Sequence, residues 1–422
     1  MKIRGNFSDK NYTTRETCRV CDSKNLTDLF SLGDLYISNF VDKEESGPKA
    51  PLDMTYCNNC SLVQLKHTAP QELLYAGVYW YKSGVTDTMR MALRDITQKV
   101  EERFELYPED VVLDIGSNDG TLLRTYQAPG IIRAGVEPAI NFIEEGQQGV
   151  DHFINDFWNY ENYENSVGKR AKIITAIGMF YDMEDPNQFV FDAAQSLQKN
   201  GVFIAQLMCL KNMLDANDLG NICHEHLEYY SFSSLEYLLN KNGLEIFDVE
   251  INDVNGGSYR VYAKLNELNG GNVPIPAGAI ERVQVVRERE KELNSTKTFE
   301  DFYARIEDNK KRCTDFIRGE NAKGKSTWVY GASTKGNTIL QYYGLDEKDI
   351  VAASERTPTK WGKYTIGTNI PIVSEEEARK AQPDHFLVLP YTFIKEFYER
   401  ELDWRNKGGK FIVPLPEFKV LD

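Results

Sequence analysis

Val112-Leu113-Asp114-Ile115-Gly116-Ser117-Asn118-Asp119-Gly120-Thr121-Leu122-Leu123 is a short apolar strand that ends in an acid, a Gly-rich turn and a helix start. Further on, Gly135-Val136-Glu137-Pro138 closes a second strand, again on an acid. Glycines let a ligand approach the backbone because no side chain stands in the way. A carboxylate at the end of the next strand can take two ribose hydroxyls. The three spaced glycines that cradle a pyrophosphate are missing, and the turn carries acids instead. Acids suit a cationic or phosphate-free nucleoside, and S-adenosylmethionine (SAM) is both. The pattern predicts a SAM-dependent methyltransferase, with Asp114, Gly116, Ser117, Asn118, Asp119, Gly120, Glu137 and Pro138 around the cofactor.

The 422 residues leave room for two or three domains, and 41% hydrophobic content is ordinary for a globular chain. No apolar stretch approaches the ~18 residues of a membrane span. The opening MKIRGNFSDKNYTTRE lacks the apolar core of a signal peptide. A net charge of −15 repels phosphate backbones, and the one dense basic run, Lys310-Lys311-Arg312, reads as a solvated helix face. Neither a nucleic acid nor a membrane is an expected partner. Seven cysteines, an odd number, argue against a disulfide framework and for the reducing cytoplasm.

Four of those cysteines form two pairs, Cys18-x-x-Cys21 and Cys57-x-x-Cys60. Two such knuckles complete a tetrahedral Cys₄ zinc site with no open position, so the zinc is expected to be structural. Asp22-Ser23 and Asn58-Asn59 are the turn formers such knuckles need. Redox pairs or unpaired buried thiols are the other readings. Cys209, Cys223 and Cys313 have no matching spacing, and two of them are expected in the core.

Residues 1–70 read as the zinc-binding domain. Residues 71–268 read as the SAM-binding domain, entered through helical segments from Gln71 and from Thr86. After residue 109, strands alternate with helical stretches, which argues for a mostly parallel sheet with helices on both faces. Its last two strands, LEIFDVEIN and SYRVYAKL, are placed as an antiparallel hairpin around Asn255-Gly256-Gly257. Residues 269–324 read as a Gly/Pro-rich linker followed by one or two long charged helices. Residues 325–422 form a second α/β unit of Rossmann type. Its Gly331-x-x-x-x-Gly336 turn, between a strand and a helix, can receive phosphate on backbone N–H groups, although the Lys-Ser/Thr ending of a P-loop is missing.

The chain has five histidines, and two lie in Cys223-His224-Glu225-His226. A histidine beside a carboxylate is a typical general base. Extended backbone points His224 and His226 the same way, whereas a turn lets all three side chains converge. Metal binding and a pair of surface histidines are the weaker alternatives. Tyr79 and Tyr81, flanking Trp80, can hydrogen-bond a keto or enolate oxygen, or simply pack. After the expected third strand, Asp156 can take an adenine amino group and Phe157 can cover the ring.

Taken in order, these motifs resemble those of three-domain sugar C-methyltransferases acting on nucleotide-linked keto-sugars. The paired CxxC resembles that family's zinc domain, VLDIGSNDGTLL its SAM motif, and HEHLEYYS its His-Glu-His signature. Asn255-Gly256-Gly257-Ser258-Tyr259-Arg260 resembles its Gly-Gly-Ser segment. GASTKGNT and the stretch Pro358–Ile372 resemble its C-terminal Rossmann-like domain.

The resemblance implies a class I SAM-methyltransferase fold flanked by a small zinc-binding domain and a C-terminal α/β domain. It implies methyl transfer to carbon, at C3 of a 4-keto-deoxysugar carried on a nucleotide, through an enolate. It implies His226 as the base, with His224, Glu225 and Tyr79 or Tyr81 around the enolate, and Asp182 is a further catalytic candidate offered by this chain itself. The C-terminal lobe would hold the nucleotide diphosphate through Gly331, Ser333, Lys335, Gly336, Asn337, Lys360 and Tyr364, with Arg260 from the Gly-Gly-Ser segment.

The sequence departs from the family at three positions in the pocket lining. Cys223 replaces a tyrosine, Tyr181-Asp182 stands where a histidine is usual, and Asn255 replaces a common histidine. O- or N-methylation of a nucleotide sugar, a SAM-binding protein with weak transferase activity, and an RNA methyltransferase are the competing readings. Three domains can enclose one site in a single chain, so a monomer is expected.

Overall fold

The computed structural model describes residues 12–43, 45–76 and 79–422; most of the segment read above for a signal peptide lies outside them. The stretch that opens the sequence argument forms the centre of a seven-stranded sheet. Its strands run in the order Leu244–Asn252, Ser258–Leu265, Leu197–Met208, Ala171–Ile177, Val111–Ile115, Ile132–Val136 and His152–Ile154. Five of them are parallel, with a register shift between Ala171 and Ile173 and with Asp114 opposite both Gly135 and Thr175. Their near-continuous burial follows from helices covering both faces.

Ser258–Leu265 runs antiparallel between its two neighbours. The hairpin closes because Asn255, Gly256 and Gly257 all take positive φ, at 54°, 88° and 122°. Between Val111–Ile115 and Ala171–Ile177 the strand order reverses. A crevice opens beyond the carboxyl ends of strands at such a point.

Residues 279–321 form two helices, Ala279–Arg289 and Lys297–Asn321, as the charge pattern predicts. The longer one buries Phe299, Phe302, Ile306, Cys313 and Ile317 at helical spacing. Helical structure from Gln71 is limited to a single turn over Glu72–Ala76, whereas Asp87–Arg103 is a full helix capped by Thr86. Cys209, Cys223 and Cys313 are all buried. Among the described residues no helix is long and apolar enough to cross a membrane.

The C-terminal sheet runs Ile372–Ser374, Ala353–Glu355, Thr327–Tyr330, His385–Val388, Lys410–Val413, Lys419–Leu421. Ile372–Ser374 and the antiparallel edge strand Lys419–Leu421 escape the sequence reading, because three residues are too few to show an alternation.

Strands cross the domain divisions seen in the sequence. Glu228–Tyr229, directly after His226-Leu227, joins the zinc domain's sheet by pairing with Val63–Gln64. Tyr364–Thr365 of the C-terminal domain pairs with Phe40–Val41. The three units therefore share sheets as well as surfaces.

Candidate active site

Each CxxC closes a tight turn. Asp22 N–H donates to Cys18 O at 3.0 Å and Ser61 N–H to Cys57 O at 2.9 Å, with both Asp22 and Ser61 at φ 61°. The turns bring Cys18 and Cys60, and Cys21 and Cys57, to Sγ–Sγ distances of 3.5 Å, with all four sulfurs within 4.8 Å of one another. A tetrahedral zinc with Zn–S near 2.3 Å needs sulfur–sulfur edges of about 3.8 Å, so the cluster fits the ion and leaves no ligand position open. The four cysteines hold a structural zinc. Beside them, buried Arg19 donates to Leu65 O and Thr68 Oγ1 and lies 3.8 Å from the Glu228 carboxylate. The zinc knuckle thus grips the strand that follows His226.

At the carboxyl ends of the central strands lies a cavity of about 380 Å³, within the range of small-molecule sites. Gly116, Asn118, Glu137, Pro138, Phe157 and Trp158 form one wall, and Ile177, Gly178 and Met179 the other. Its described lining includes several acids and no lysine, arginine or histidine. Glu137 Oε2 accepts Asn118 N–H and Oε1 accepts Ala139 N–H, both at 2.8 Å, which fixes the carboxylate at the rim of the second strand. Burial pushes its pKa upward against those two donors. Gly116 sits at φ 72°, and a Cβ there would meet Met179 Cγ at 2.9 Å. Buried acids, apolar and aromatic walls and the lack of cationic lining fit SAM.

Several residues expected at the cofactor stand behind this wall. Asp114 accepts Thr175 Oγ1 at 2.6 Å, and burial raises its pKa to about 7. Asp119 accepts Gly84 N–H at 2.9 Å, and Asn118 Oδ1 accepts Ser83 N–H at 3.0 Å, so the turn clamps the segment that carries Tyr79 and Tyr81. Ser117 and Gly120 shape the turn without lining the cavity. Asp156 caps its own loop by accepting Phe157 N–H and Asn162 Nδ2–H, both at 2.8 Å.

A second cavity, of about 150 Å³, shares Tyr79, Tyr81, Ser83, Ile177, Gly178 and Asp182 with the first. It is completed by Tyr181, Asn221, Cys223, Glu225, His226 and Lys335. The His-Glu-His segment is a turn, with His226 N–H donating to Cys223 O at 3.1 Å. Glu225 and His226 thereby face the cavity. His224 does not; its Nε2 bonds Ala50 O of the zinc domain at 2.8 Å, and burial lowers its pKa to about 4.

His226 Nδ1 lies 2.8 Å from Asn221 O. A carbonyl can only accept, so Nδ1 carries the proton and Nε2 keeps the free lone pair. Tyr181 packs edge-on against the ring at 4.5 Å. Burial, and then the charge of Lys335, pull the His226 pKa down to about 3. Asp182 is buried, its Oδ1 has no hydrogen-bond partner, and burial followed by the charges of Glu225 and Glu228 pushes its carboxyl well up toward the neutral acid. Burial likewise holds Tyr79 and Tyr181 as phenols. One unprotonated imidazole nitrogen thus faces several neutral O–H donors, an arrangement able to accept a proton and to stabilise the oxyanion that results.

A third cavity, of about 270 Å³, opens at the carboxyl ends of the C-terminal sheet. Gly331, Ser333 and Lys360 line it, with Val85 and Thr86 from the segment that passes the second cavity. Ser333 Oγ caps the helix Thr334–Tyr343 by accepting Gly336 N–H at 3.0 Å, and Lys335 reaches the second cavity instead. The remaining candidates from the sequence line none of these three cavities. Gly336 packs under Leu389, Asn337 donates to Asn39 O, and Tyr364 pairs with Val41. Buried Arg260 is engaged by Gln206 at 2.9 Å and Asp95 at 2.8 Å.

Three family models match in chain order: a putative zinc binding domain over residues 18–75, a methyltransferase domain over 87–249 and a C-methyltransferase C-terminal domain over 253–416. The C-methyltransferase NovU of Streptomyces niveus is 29% identical over 418 residues, 96% of this chain and 97% of that one. Together the three models span most of the chain, and the protein is a SAM-dependent methyltransferase with a C-methyltransferase C-terminal domain. Among solved structures, a SAM-dependent methyltransferase from Clostridium acetobutylicum aligns at 13% identity with a TM-score of 0.33, covering 43% of this chain and 93% of that one. Magnesium protoporphyrin IX methyltransferase from Synechocystis with bound SAM aligns at 13% identity and TM-score 0.32, covering 44% and 86%.

This methyltransferase uses SAM as its cofactor and carries a structural zinc. Two of its residues were not singled out in the sequence. Asn221 holds His226 through its main-chain carbonyl, a role that leaves no trace in a motif. Glu355 does carry a signal, since it ends a strand beside a Gly turn just as Glu137 does.

Proposed function

We propose that this methyltransferase methylates C3 of a nucleotide-linked 4-keto-deoxysugar through an enolate. The observation that carries the reading is the succession of cavities. The donor cavity and the His226 cavity share a wall, and the His226 cavity meets the C-terminal cavity across Ser333-Thr334-Lys335. A substrate with a sugar at one end and a nucleotide at the other spans the last two, with its diphosphate beside Ser333 and Lys335.

Bound SAM supplies an electrophilic methyl group. Glu137 takes its ribose hydroxyls, and Phe157 and Trp158 flank its base. Carbon is a poor nucleophile until an adjacent carbonyl accepts its charge. His226 Nε2 removes the proton from C3, and the electron pair of that C–H bond moves into the enolate. Asp182 and Tyr79 donate to the carbonyl oxygen as its charge grows. Glu225 and Cys223 shape the sugar end of the cavity. His224 acts at a distance, by fastening the catalytic turn to the zinc domain. The chain works as a monomer, since one chain encloses all three cavities, and its free thiols suit a reducing cytoplasm.

Incubation with SAM and a 4-keto-6-deoxy nucleotide sugar, followed by NMR, tests this. A new methyl group on a sugar carbon is expected. A methyl on oxygen or nitrogen would make the enzyme a heteroatom methyltransferase instead.

A further inference from the structure

Glu137 and Glu355 occupy the same place in two different sheets. Glu137 follows the strand Ile132–Val136, beside Val111–Ile115 and its Gly turn. Glu355 ends the strand Ala353–Glu355, beside Thr327–Tyr330 and the Gly331-Ala332-Ser333 turn. Their hydrogen bonds match atom for atom. Each Oε2 accepts an N–H of the neighbouring turn, from Asn118 at 2.8 Å or Ala332 at 2.9 Å. Each Oε1 accepts an N–H two residues on, from Ala139 or Thr357, both at 2.8 Å.

Every oxygen so held spends one lone pair and keeps another for a ligand hydroxyl. Glu355 is buried at 8% exposure yet lines the C-terminal cavity. Its ion pair with Lys360 is long, at 3.9 Å, and the ammonium gives its hydrogen bond to Ala332 O at 2.8 Å instead. A carboxylate here repels phosphate and attracts hydrogen-bond donors, and a ribose diol presents two of them side by side. Pro390, Phe393 and Phe397 provide an apolar wall suited to a nucleobase.

We propose that Glu355 binds the 2′,3′-diol of the substrate's nucleotide, so that the sugar carrier is a ribonucleoside diphosphate rather than a 2′-deoxyribonucleoside diphosphate. The inference rests on the function proposed above and names the carrier that reading leaves open. The ribose lies at Glu355, the diphosphate at Ser333 and Lys335, and the keto-sugar at His226. A 2′-deoxyribose offers one hydroxyl instead of two and forfeits one charge-assisted hydrogen bond, which costs about tenfold or more in affinity.

The test is calorimetric titration of the full-length, zinc-loaded protein with GDP, UDP and CDP, each beside its 2′-deoxy counterpart, and with dTDP. The best-binding ribonucleotide is expected to exceed its deoxy partner by about tenfold or more, with dTDP weaker than it. Glu355→Gln is expected to bring that ratio close to one. Equal affinity within the pair, tightest binding by dTDP, or an unchanged ratio in Glu355→Gln would overturn the assignment while leaving a nucleotide-linked substrate intact. Failure of every nucleoside diphosphate to bind would overturn both. Should Glu355→Gln not fold, the ratio in the natural protein decides alone.

Discussion

Lys335 and His226 belong to different domains and are held by one residue. The Lys335 ammonium lies 2.5 Å from the side-chain oxygen of Asn221, and the main-chain carbonyl of Asn221 lies 2.8 Å from Nδ1 of His226. Asn221 therefore fixes the tautomer of the imidazole, while the C-terminal domain supplies the charge beside it. Asn221 is itself steadied by Asp218, whose carboxylate accepts its Nδ2–H at 2.7 Å.

The pH profile of kcat/KM follows from this arrangement. Lys335 disfavours a second positive charge on His226, and burial acts in the same direction. Asp182 and Glu225, which also face the cavity, are pushed up toward their neutral forms and offset little of this. The base stays unprotonated down to about pH 3 in the free enzyme, far below the ordinary histidine value of 6.5. Removal of the positive charge raises the pKa. Lys335→Met is therefore expected to move the acid limb upward toward 6.5, read by kcat/KM against pH. A limb that stays put or moves down contradicts the coupling.

Zinc removal is expected to cost activity although none of the four zinc-binding cysteines lines the cavities. Leu65 N–H donates to Leu227 O at 2.9 Å, and Arg19, next to Cys18, sits against Glu228. Loss of the ion loosens the strand that anchors His226 and removes the folding energy that metal binding supplies. Chelation, or Cys18→Ser, should lower the melting temperature and cut turnover by about tenfold or more, the scale of lost supporting contacts around a site. Full activity in demetallated protein would contradict this.

Gly116→Ala should damage cofactor binding directly. Its φ of 72° disfavours any side chain, and the new Cβ would press on Met179 at 2.9 Å. Strain of this kind costs about 1–3 kcal/mol. SAM affinity, measured by titration, is expected to fall by about tenfold or more as the Met179 wall moves into the cavity.

Arg260→Met should act on stability and leave substrate KM nearly unchanged. The guanidinium is buried and spends its donors on Gln206 and Asp95. Asp95 is half-exposed and stays solvated, so the loss comes mainly from leaving buried Gln206 without its donor, about 1–3 kcal/mol. Denaturant melts and steady-state kinetics separate the two effects.

Much of the architecture is legible in the chain because its signals are local. Val112–Leu123 displays strand, turn and helix start within a dozen residues, and the CxxC knuckles show their ligands by spacing alone. What a local pattern does not show is where a buried polar side chain finds its partner. His224 and His226 stand two apart in one motif, yet one bonds Ala50, far away in the zinc domain, and the other Asn221, five residues back. Arg260, Asp114 and Asn337 read as ligand-binding types, but their partners, Asp95, Thr175 and Asn39, come from distant elements. The cross-domain strands Glu228–Tyr229 and Tyr364–Thr365 are two residues long and carry no periodicity.

Solvent exchange at the reacting carbon tests the central claim most directly. The protein is incubated in deuterated water with a 4-keto-6-deoxy nucleotide sugar and no SAM, and deuterium at C3 is followed by NMR. Exchange is expected with the natural protein and should disappear in His226→Asn, since removing the proton needs the base and not the methyl donor. Undiminished exchange in His226→Asn would show that another group is the base, and absence of exchange in the natural protein, alongside a methylated product, would contradict an enolate formed ahead of methyl transfer.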